Sequence, residues 1–271
     1  MTKKIVVTGA SGFIGRHVVP LLLTRDYDIM VMGRNSDSFK AFDWSKSVEF
    51  VQTDIHAAPN SDIDLAGYGL MHLAWDGLPN YKDNFHFTQN LPHHFSFLQN
   101  LVQSGVEKML VTGTCFEYGM ANGPLSADQD THPKNPYAFA KDCLRQQLEY
   151  LQNQYAFDLK WARLFYMYGE GQNLKSILPL LDQAIDRGDA IFNMSSGEQL
   201  RDYLPVEMVA EKLLALYENE RVGKFNICNG IPITIRKLVE DHIAKRKSNI
   251  KLNLGFYPYP DYEPMAFWGD A

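Results

Sequence analysis

The stretch Ile5-Val6-Val7-Thr8-Gly9-Ala10-Ser11-Gly12-Phe13-Ile14-Gly15 narrows the possible folds of this chain more than any other. The apolar run reads as a buried strand, the glycine-rich segment as a tight turn, and the amphipathic stretch from Phe13 to Thr24 as the helix it feeds. A backbone that leaves a strand, turns sharply and enters a helix presents free N–H groups and the positive end of the helix dipole at one point, and that point binds phosphate. Gly9 allows the turn, Gly12 keeps side-chain bulk away from a pyrophosphate, and Gly15 lets helix and strand approach closely. The spacing is G-x-x-G-x-x-G rather than G-x-G-x-x-G, and a glycine pattern alone also occurs at ordinary strand-to-helix turns. With a strand before it and an amphipathic helix after it, the pattern predicts a dinucleotide site.

The remaining punctuation repeats strand, helix, strand, the pattern of a parallel doubly wound sheet. A second buried strand, Asp28-Ile29-Met30-Val31-Met32, ends at Gly33-Arg34. In such folds that end meets the adenosine ribose, where a carboxylate bonds a 2'-hydroxyl and an arginine neutralises a 2'-phosphate. Arg34 therefore predicts NADP, with NAD as the alternative. Residues 48–53 read as a third strand ending in Asp54-Ile55, and residues 69–74 as a fourth, with His72 a core histidine inside it. Between Tyr81 and Gly105 a helical pattern contains Pro92, expected to kink or split it just after Asn90. A fifth strand over residues 107–111 runs into Thr112-Gly113-Thr114-Cys115-Phe116-Glu117-Tyr118-Gly119, small and polar residues where open parallel sheets place ligands. Asn135-Pro136 opens a helix carrying Tyr137 and Lys141, and Leu159 to Tyr166 is the sixth strand. Beyond Gly169 helices are expected near 176–186, 206–218 and 234–245, with a strand at 225–227 and an aromatic, proline-rich tail. The expected fold is α/β, a Rossmann-type doubly wound parallel sheet with a small C-terminal substrate-binding lobe. Residues 1–166 form the dinucleotide-binding domain, to which 204–228 return, and 167–203 with 229–271 form the lobe.

Length and composition bound the partners. At 271 residues the chain can bury a substantial core, and its net charge of −6 argues against nucleic acid. Lys245-Arg246-Lys247 is too short a basic run to change this. The residues after Met1-Thr2-Lys3-Lys4 are too few for a signal-peptide core or membrane span before Gly9, so a cytoplasmic protein without membrane association is expected. Cys115, Cys143 and Cys228 are odd in number and lack C-x-x-C spacing, and the eight histidines form no H-x-x-x-H motif, so no disulfide framework or metal site is predicted. The adjacent His93 and His94 are expected at the surface.

Tyr137 and Lys141 lie four apart on one helix and share a face. A phenol has a pKa of about 10, and an ammonium within ~5 Å at an effective dielectric near 20 favours phenolate by roughly 3 kcal/mol, about two pK units. Such a tyrosine exchanges a proton with an alcohol or ketone near neutral pH. Thr114 at the end of the fifth strand is placed to hydrogen-bond the same oxygen. A Tyr-x-x-x-Lys pair alone is common on helix surfaces, but the glycine fingerprint, the strand-end threonine and the Asn-Pro opening accompany it here.

Together these segments resemble the extended short-chain dehydrogenase/reductases, specifically the nucleotide-sugar epimerase and 4-ketoreductase branch. The resemblance runs over nearly the whole chain: Thr8 to Gly15, Asp54-Ile55, His72-Leu73-Ala74, Asn90, Thr114 five residues before Gly119, Asn135-Pro136-Tyr137 with Lys141, Arg163-Leu164-Phe165, Arg201-Asp202-Tyr203 and Phe225-Asn226-Ile227. It implies that Tyr137 is the proton donor or base, that Lys141 binds the nicotinamide ribose and tunes Tyr137, and that Thr114 orients the substrate. It further implies Gly9, Ser11, Gly12, Phe13, Ile14, Gly15, Leu73, Ala74 and Phe165 around the cofactor, Asp54 and Ile55 on the adenine, and Asn90 supporting Lys141 through a water. Trp75, Cys115, Phe116, Glu117, Tyr166 and Lys175 are implied around the substrate, with Arg201 on its diphosphate, a job suited to a planar, always-charged donor. A homodimer is the usual assembly of such families.

Three features depart from the family pattern: Tyr166 stands where an asparagine often follows Arg163-x-x, no acidic residue follows the second strand, and the C-terminal lobe is short. The Thr112 to Gly119 segment and the tail from Tyr257 to Gly269 are similar to reductases of 4-keto-6-deoxy sugar nucleotides, of the dTDP-4-keto-6-deoxyglucose type. The expected activity is NADP-dependent reduction at C4 of a nucleoside-diphosphate 4-keto-6-deoxy sugar, for deoxysugar and surface-polysaccharide precursors. The rivals are an NAD-retaining sugar 4-epimerase and a non-catalytic cofactor sensor on the same fold.

Overall fold

Along the first strand, Ile5 and Val7 join a core on one side of a sheet and Val6 joins another core on the opposite side, all three fully buried. A strand apolar on both faces belongs in the middle of a covered parallel sheet. The computed structural model describes residues 3–57, 63–261 and 263–270. Met1 and Thr2 of the N-terminal segment, and Tyr262 of the aromatic tail, lie outside the described residues.

In chain order the first half comprises β1 (Lys3–Thr8), α1 (Gly15–Thr24), β2 (Tyr27–Gly33), α2 (Asp37–Lys40), β3 (Glu49–Gln52), β4 (Tyr68–His72), α3 (Leu91–Gln103), β5 (Lys108–Thr114), β6 (Gly123–Leu125), α4 (Pro136–Leu151) and β7 (Asp158–Leu164). The second comprises β8 (Tyr166–Tyr168), α5 (Ile177–Asp186), β9 (Ile191–Asn193), β10 (Leu200–Pro205), α6 (Val206–Glu218), β11 (Gly223–Ile227), β12 (Pro232–Thr234), α7 (Ile235–Lys245), β13 (Lys251–Asn253) and β14 (Phe267–Gly269). Seven strands form the main sheet in the order β11-β7-β5-β4-β1-β2-β3, every neighbouring pair parallel. Val18, Val19 and Leu22 of α1 and Val209 and Leu213 of α6 cover one face. Phe97, Leu98 and Leu101 of α3 and Leu144 and Leu148 of α4 cover the other. This is the Rossmann-type α/β arrangement that the strand and helix pattern predicts.

The chain runs outward from β1 through β2 to β3, then restarts on the other side at β4. The crevice beyond the carboxyl ends of β1 and β4 is the switch point at which such sheets hold ligands. Two glycines make that crevice possible. Gly9 has φ +73°, and a Cβ there would stand 2.7 Å from Ala74 N; a Cβ on Gly15 would stand 2.2 Å from Gly9 O. A side chain at Gly9 would push the turn off the segment that follows β4, and one at Gly15 would push the first helix off the turn.

The structure alters two expectations, on the sixth strand and on His94, and bears out a third, the split at Pro92. The predicted sixth strand divides at Phe165: β7 ends at Leu164 in the main sheet, Phe165 N donates to Ile227 O at 3.2 Å, and Tyr166 begins β8 in a separate three-stranded sheet with β10 and β12. The helical pattern around Pro92 splits into a wide turn, His86–Asn90, followed by α3 with the proline in its first turn, where its missing N–H costs no intrahelical bond. His94 is buried rather than at the surface, because its helix faces the sheet and its Nδ1 meets His72 Nε2 at 2.8 Å. β11 returns to the edge of the main sheet beside β7, while Leu178, Leu181, Met194, Leu238, Val239 and Ile250 make a separate small core. β14 pairs with β6 and so brings the C-terminal tail back beside the segment that follows β5. Among the described residues no helix is long and apolar enough to cross a membrane.

Candidate active site

A cavity of about 1040 Å³ opens at the switch point. Its floor is the turn and first residues of α1, Gly9 to Gly15; one end is walled by Arg34, Asp54, Ile55 and Asp76, and the other by Tyr166, Tyr203, Ser176 and Glu263. The start of α1 carries no side-chain cap and no acidic residue; the amides of Arg16, His17 and Val18 bond the carbonyls of Gly12 and Ile14, which leaves those of Phe13, Ile14 and Gly15 to a ligand. Free N–H groups at a floor that glycine keeps open at 9, 12 and 15 fit a pyrophosphate, and the walls extend far enough to hold a dinucleotide. Leu73, Ala74, Trp75 and Phe165 also line the cavity, as the sequence implied.

Thr114 and Tyr137 meet at mid-cavity. β5 delivers Thr114 to its carboxyl end, and the Asn135 side chain caps α4 by accepting from Ala138 N at 2.9 Å, which aims Tyr137 at the same point. The Thr114 hydroxyl is among the groups that act on the Tyr137 phenol. Lys141 follows one turn later, fully buried, but its ammonium is outside the cavity wall: it donates to Thr112 O at 2.8 Å and lies against the Trp75 ring. Burial lowers the Lys141 pKa to about 7, opposed by Glu117. The expected depression of the Tyr137 pKa is not what this geometry produces. Burial raises the phenol well above its ordinary value, helped by Tyr81 and Glu117 and opposed by the Thr114 hydrogen bond. Desolvation of the fully enclosed ring sets the direction, and Lys141 is not among the groups that oppose it.

Trp75, Tyr81 and His86 form an aromatic wall around Tyr137. Trp75 Nε1 donates to His86 Nδ1 at 3.1 Å, which assigns the His86 proton to Nε2, 3.0 Å from Asn80 O. On the far side, Ala74 N donates to Thr8 Oγ1, Thr8 Oγ1 meets His72 Nδ1 at 2.8 Å, and His72 in turn meets His94, which lines the cavity. Burial drops the His72 pKa to about 3 and also lowers His94, so both rings are neutral. His72 is thus a satisfied core histidine.

Besides Lys141, four residues expected at ligands are elsewhere. Glu117 is fully buried below the substrate wall, where it accepts from Thr114 N at 2.9 Å, from Trp161 Nε1 at 3.1 Å and from Arg163 Nε at 2.6 Å. The peptide run places it one residue too deep to reach a substrate, and its carboxylate holds Thr114 in place. Arg201 is 1% exposed and its guanidinium is fully engaged by Glu263, Leu200 O, Pro264 O and Met265 O. Lys175 is exposed and outside the cavity wall, displaced by the turn in which its backbone N–H bonds Asn173 Oδ1. Asn90 is buried behind Asp76, to whose carbonyl its amide donates at 2.9 Å; its Oδ1 has no partner among the described residues.

Cys115, Phe116 and Tyr166 do line the cavity. Burial pushes the Cys115 thiol up, so it acts as a small neutral wall group. Arg34 lines the opposite end but is ion-paired with Asp76 at 3.1 Å. Sequence reasoning missed Asp76, His86, His94 and Glu263, none of which stands in a motif of fixed spacing. Among the described residues no group of three or more His, Cys, Asp or Glu side chains is arranged to hold a metal.

Residues 5–228 match the NAD dependent epimerase/dehydratase family. The chain is 31% identical over 269 residues to the dTDP-6-deoxy-L-talose 4-dehydrogenase (NAD(+)) of Aggregatibacter actinomycetemcomitans, covering 98% of each protein. It is 25% identical over 271 residues to the dTDP-4-dehydro-6-deoxyglucose reductase of Escherichia coli, covering 93% of this chain and 84% of that one. Its fold is similar to that of UDP-glucuronic acid 4-epimerase from Bacillus cereus in complex with UDP-glucuronic acid and NAD, with a TM-score of 0.82, 21% identity, and coverage of 98% and 90%.

Proposed function

The chain belongs to the NAD dependent epimerase/dehydratase family, and on that premise we propose that it moves hydride at C4 of a nucleoside-diphosphate 6-deoxy sugar, interconverting ketone and alcohol. The observation that carries this reading is that Thr114 and Tyr137 stand together in the wall of a cavity floored by an uncapped, glycine-containing helix start. Two relatives named for C4 chemistry on dTDP-linked 6-deoxy sugars support both the position and thymidine diphosphate as the carrier.

A bound nicotinamide supplies or accepts the hydride. The protein's own residues manage the proton. Reduction of a ketone builds negative charge on its oxygen, and Tyr137, kept protonated at neutral pH by its burial, donates to that oxygen as charge develops. Thr114 holds the same oxygen, and the Trp75, Tyr81 and Phe116 rings keep water out. Lys141 stands behind this layer as a source of positive potential. A phenol with a raised pKa is protonated near neutral pH and so is ready to act as the acid for ketone reduction. For the diphosphate, the uncapped start of α5 at Ser176 and Ile177 lines the cavity and takes the place expected of Arg201.

The cofactor proposed is NAD rather than NADP. Asp76 neutralises Arg34 at the adenosine end and would repel a 2'-phosphate, whereas it accepts a hydrogen bond from a 2'-hydroxyl. The test is to mix the protein with a dTDP-4-keto-6-deoxy sugar and reduced cofactor. Stoichiometric cofactor consumption with a new C4 alcohol supports the proposal. Inversion at C4 of a sugar nucleotide without net consumption identifies an epimerase, and cofactor binding without either reaction identifies a sensor.

A further inference from the structure

The far end of the cavity carries a carboxylate that none of the roles above uses. Glu263 lines that wall with its side chain 10% exposed. One of its oxygens, Oε2, is fixed on the protein side: the Tyr166 hydroxyl donates to it, and so does Arg201, through Nε at 3.2 Å with its NH2 nitrogen at 3.0 Å. Among the described residues no donor reaches the other oxygen, Oε1. Burial raises the Tyr166 pKa well above its ordinary value, so Tyr166 is a neutral donor; Glu263 is the anionic partner of Arg201.

What a ligand meets here is the carboxylate and not the cation behind it. Arg201 is 1% exposed, and its remaining N–H groups are held by Leu200 O at 2.8 Å, Pro264 O at 2.7 Å and Met265 O at 3.1 Å, so the guanidinium cannot swing out. Arg34, at the opposite end and already paired with Asp76, is the only lysine or arginine among the described residues that line the cavity. Glu263 holds Tyr166, whose ring meets Phe116, and Phe116 meets Tyr81, which meets Tyr137, so the carboxylate stands at the end of the aromatic layer that runs to the reacting tyrosine. A free carboxylate oxygen accepts hydrogen bonds from hydroxyl groups and repels a second carboxylate.

We propose that Glu263 is a specificity-determining residue that accepts a hydroxyl of a neutral hexose and rejects the corresponding hexuronic acid. This rests on the sugar-nucleotide reading above and deepens it to one substrate class.

The experiment measures binding to the NAD-loaded protein by calorimetry, using matched pairs that differ only at C6: dTDP-glucose against dTDP-glucuronic acid, and UDP-glucose against UDP-glucuronic acid. The neutral member should bind about tenfold or more tightly, the effect of one like charge a few ångströms away in a partly screened site. Glu263→Gln keeps size but removes the charge: its amide oxygen stays on Tyr166 and Arg201, and its NH2 donates to the sugar hydroxyl oxygen in place of accepting from it, so it should raise uronate affinity about tenfold and leave the neutral sugar within about threefold. Because Glu263→Gln also strips Arg201 of its counter-ion, the double variant Arg201→Gln/Glu263→Gln, which leaves no unpaired buried charge, is measured beside it with a thermal melt of each. Equal affinities in the unmodified protein, or a preference that persists in whichever variants melt cooperatively, overturns the role of Glu263. Failure to bind any of the four nucleotides overturns the sugar-nucleotide reading itself, and this assignment with it.

Discussion

The Lys141 ammonium stands 4.1 Å from the centroid of the Trp75 ring, and donates to Thr112 O at 2.8 Å. A cation fully enclosed in protein loses its hydration, and a ring face with one carbonyl replaces only part of it. Trp75 is itself held by His86. The residue expected to touch substrate thus touches the lysine behind the reacting tyrosine.

This enclosure makes stability depend on pH in a stated direction. The Lys141 pKa is about 7 folded against 10.5 for the free side chain, so between those values the unfolded chain binds more protons and stability rises with pH. The contribution is fully present above the unfolded pKa and is lost as pH falls through about 7. Lys141→Met removes it. Denaturant unfolding of both proteins from pH 6 to 10 should show the variant's advantage shrinking steadily as pH rises; a constant difference would mean that the lysine is not desolvated.

Tyr137→Phe deletes only the hydroxyl that donates the proton. The turnover number should fall by about 10²- to 10⁴-fold, the usual worth of general acid catalysis, while the cofactor dissociation constant barely moves. Turnover near the original rate would take Tyr137 out of the chemistry.

Cofactor choice turns on Asp76. The unmodified protein should bind NADH at least as tightly as NADPH. Asp76→Asn frees Arg34 and should improve NADPH binding by about tenfold, the scale of one charge-assisted hydrogen bond. A strong NADPH preference before any substitution would show that the phosphate displaces Asp76 from Arg34.

Glu117 is expected to matter for folding before it matters for catalysis. Both side chains of the Glu117–Arg163 pair are 0% exposed, and Glu117→Ala leaves the guanidinium buried without its charge partner. Breaking such a pair costs about 3–5 kcal/mol. Equilibrium unfolding should report that loss, and a variant within about 0.5 kcal/mol of the parent, as for an exposed substitution, would mean that the pair is not buried in solution.

The local order of this protein is written in short-range pattern. The β1 run, the glycines at 9, 12 and 15, the Asn135-Pro136 helix start and the four-residue spacing from Tyr137 to Lys141 each act through neighbours in the chain, so turn chemistry, capping and periodicity predict them one element at a time. The alternation of strands and helices likewise implies a parallel sheet, and with it a ligand crevice at the carboxyl ends of β1 and β4. What lines the rest of that crevice depends on contacts between distant segments. Arg201 reads as an exposed anion binder until β14 pairs with β6 and carries Glu263 and the carbonyls of Pro264 and Met265 onto it. Glu117 sits beside Cys115 and Phe116 in the chain, yet Trp161 and Arg163, 44 and 46 residues away, draw it under the wall that the other two form. Arg34 meets Asp76 across 42 residues. The same separation of scales decides the charges. The spacing of Tyr137 and Lys141 makes them neighbours, but their proton affinities are set by how completely the folded chain excludes water from them, and burial is a property of the whole packing.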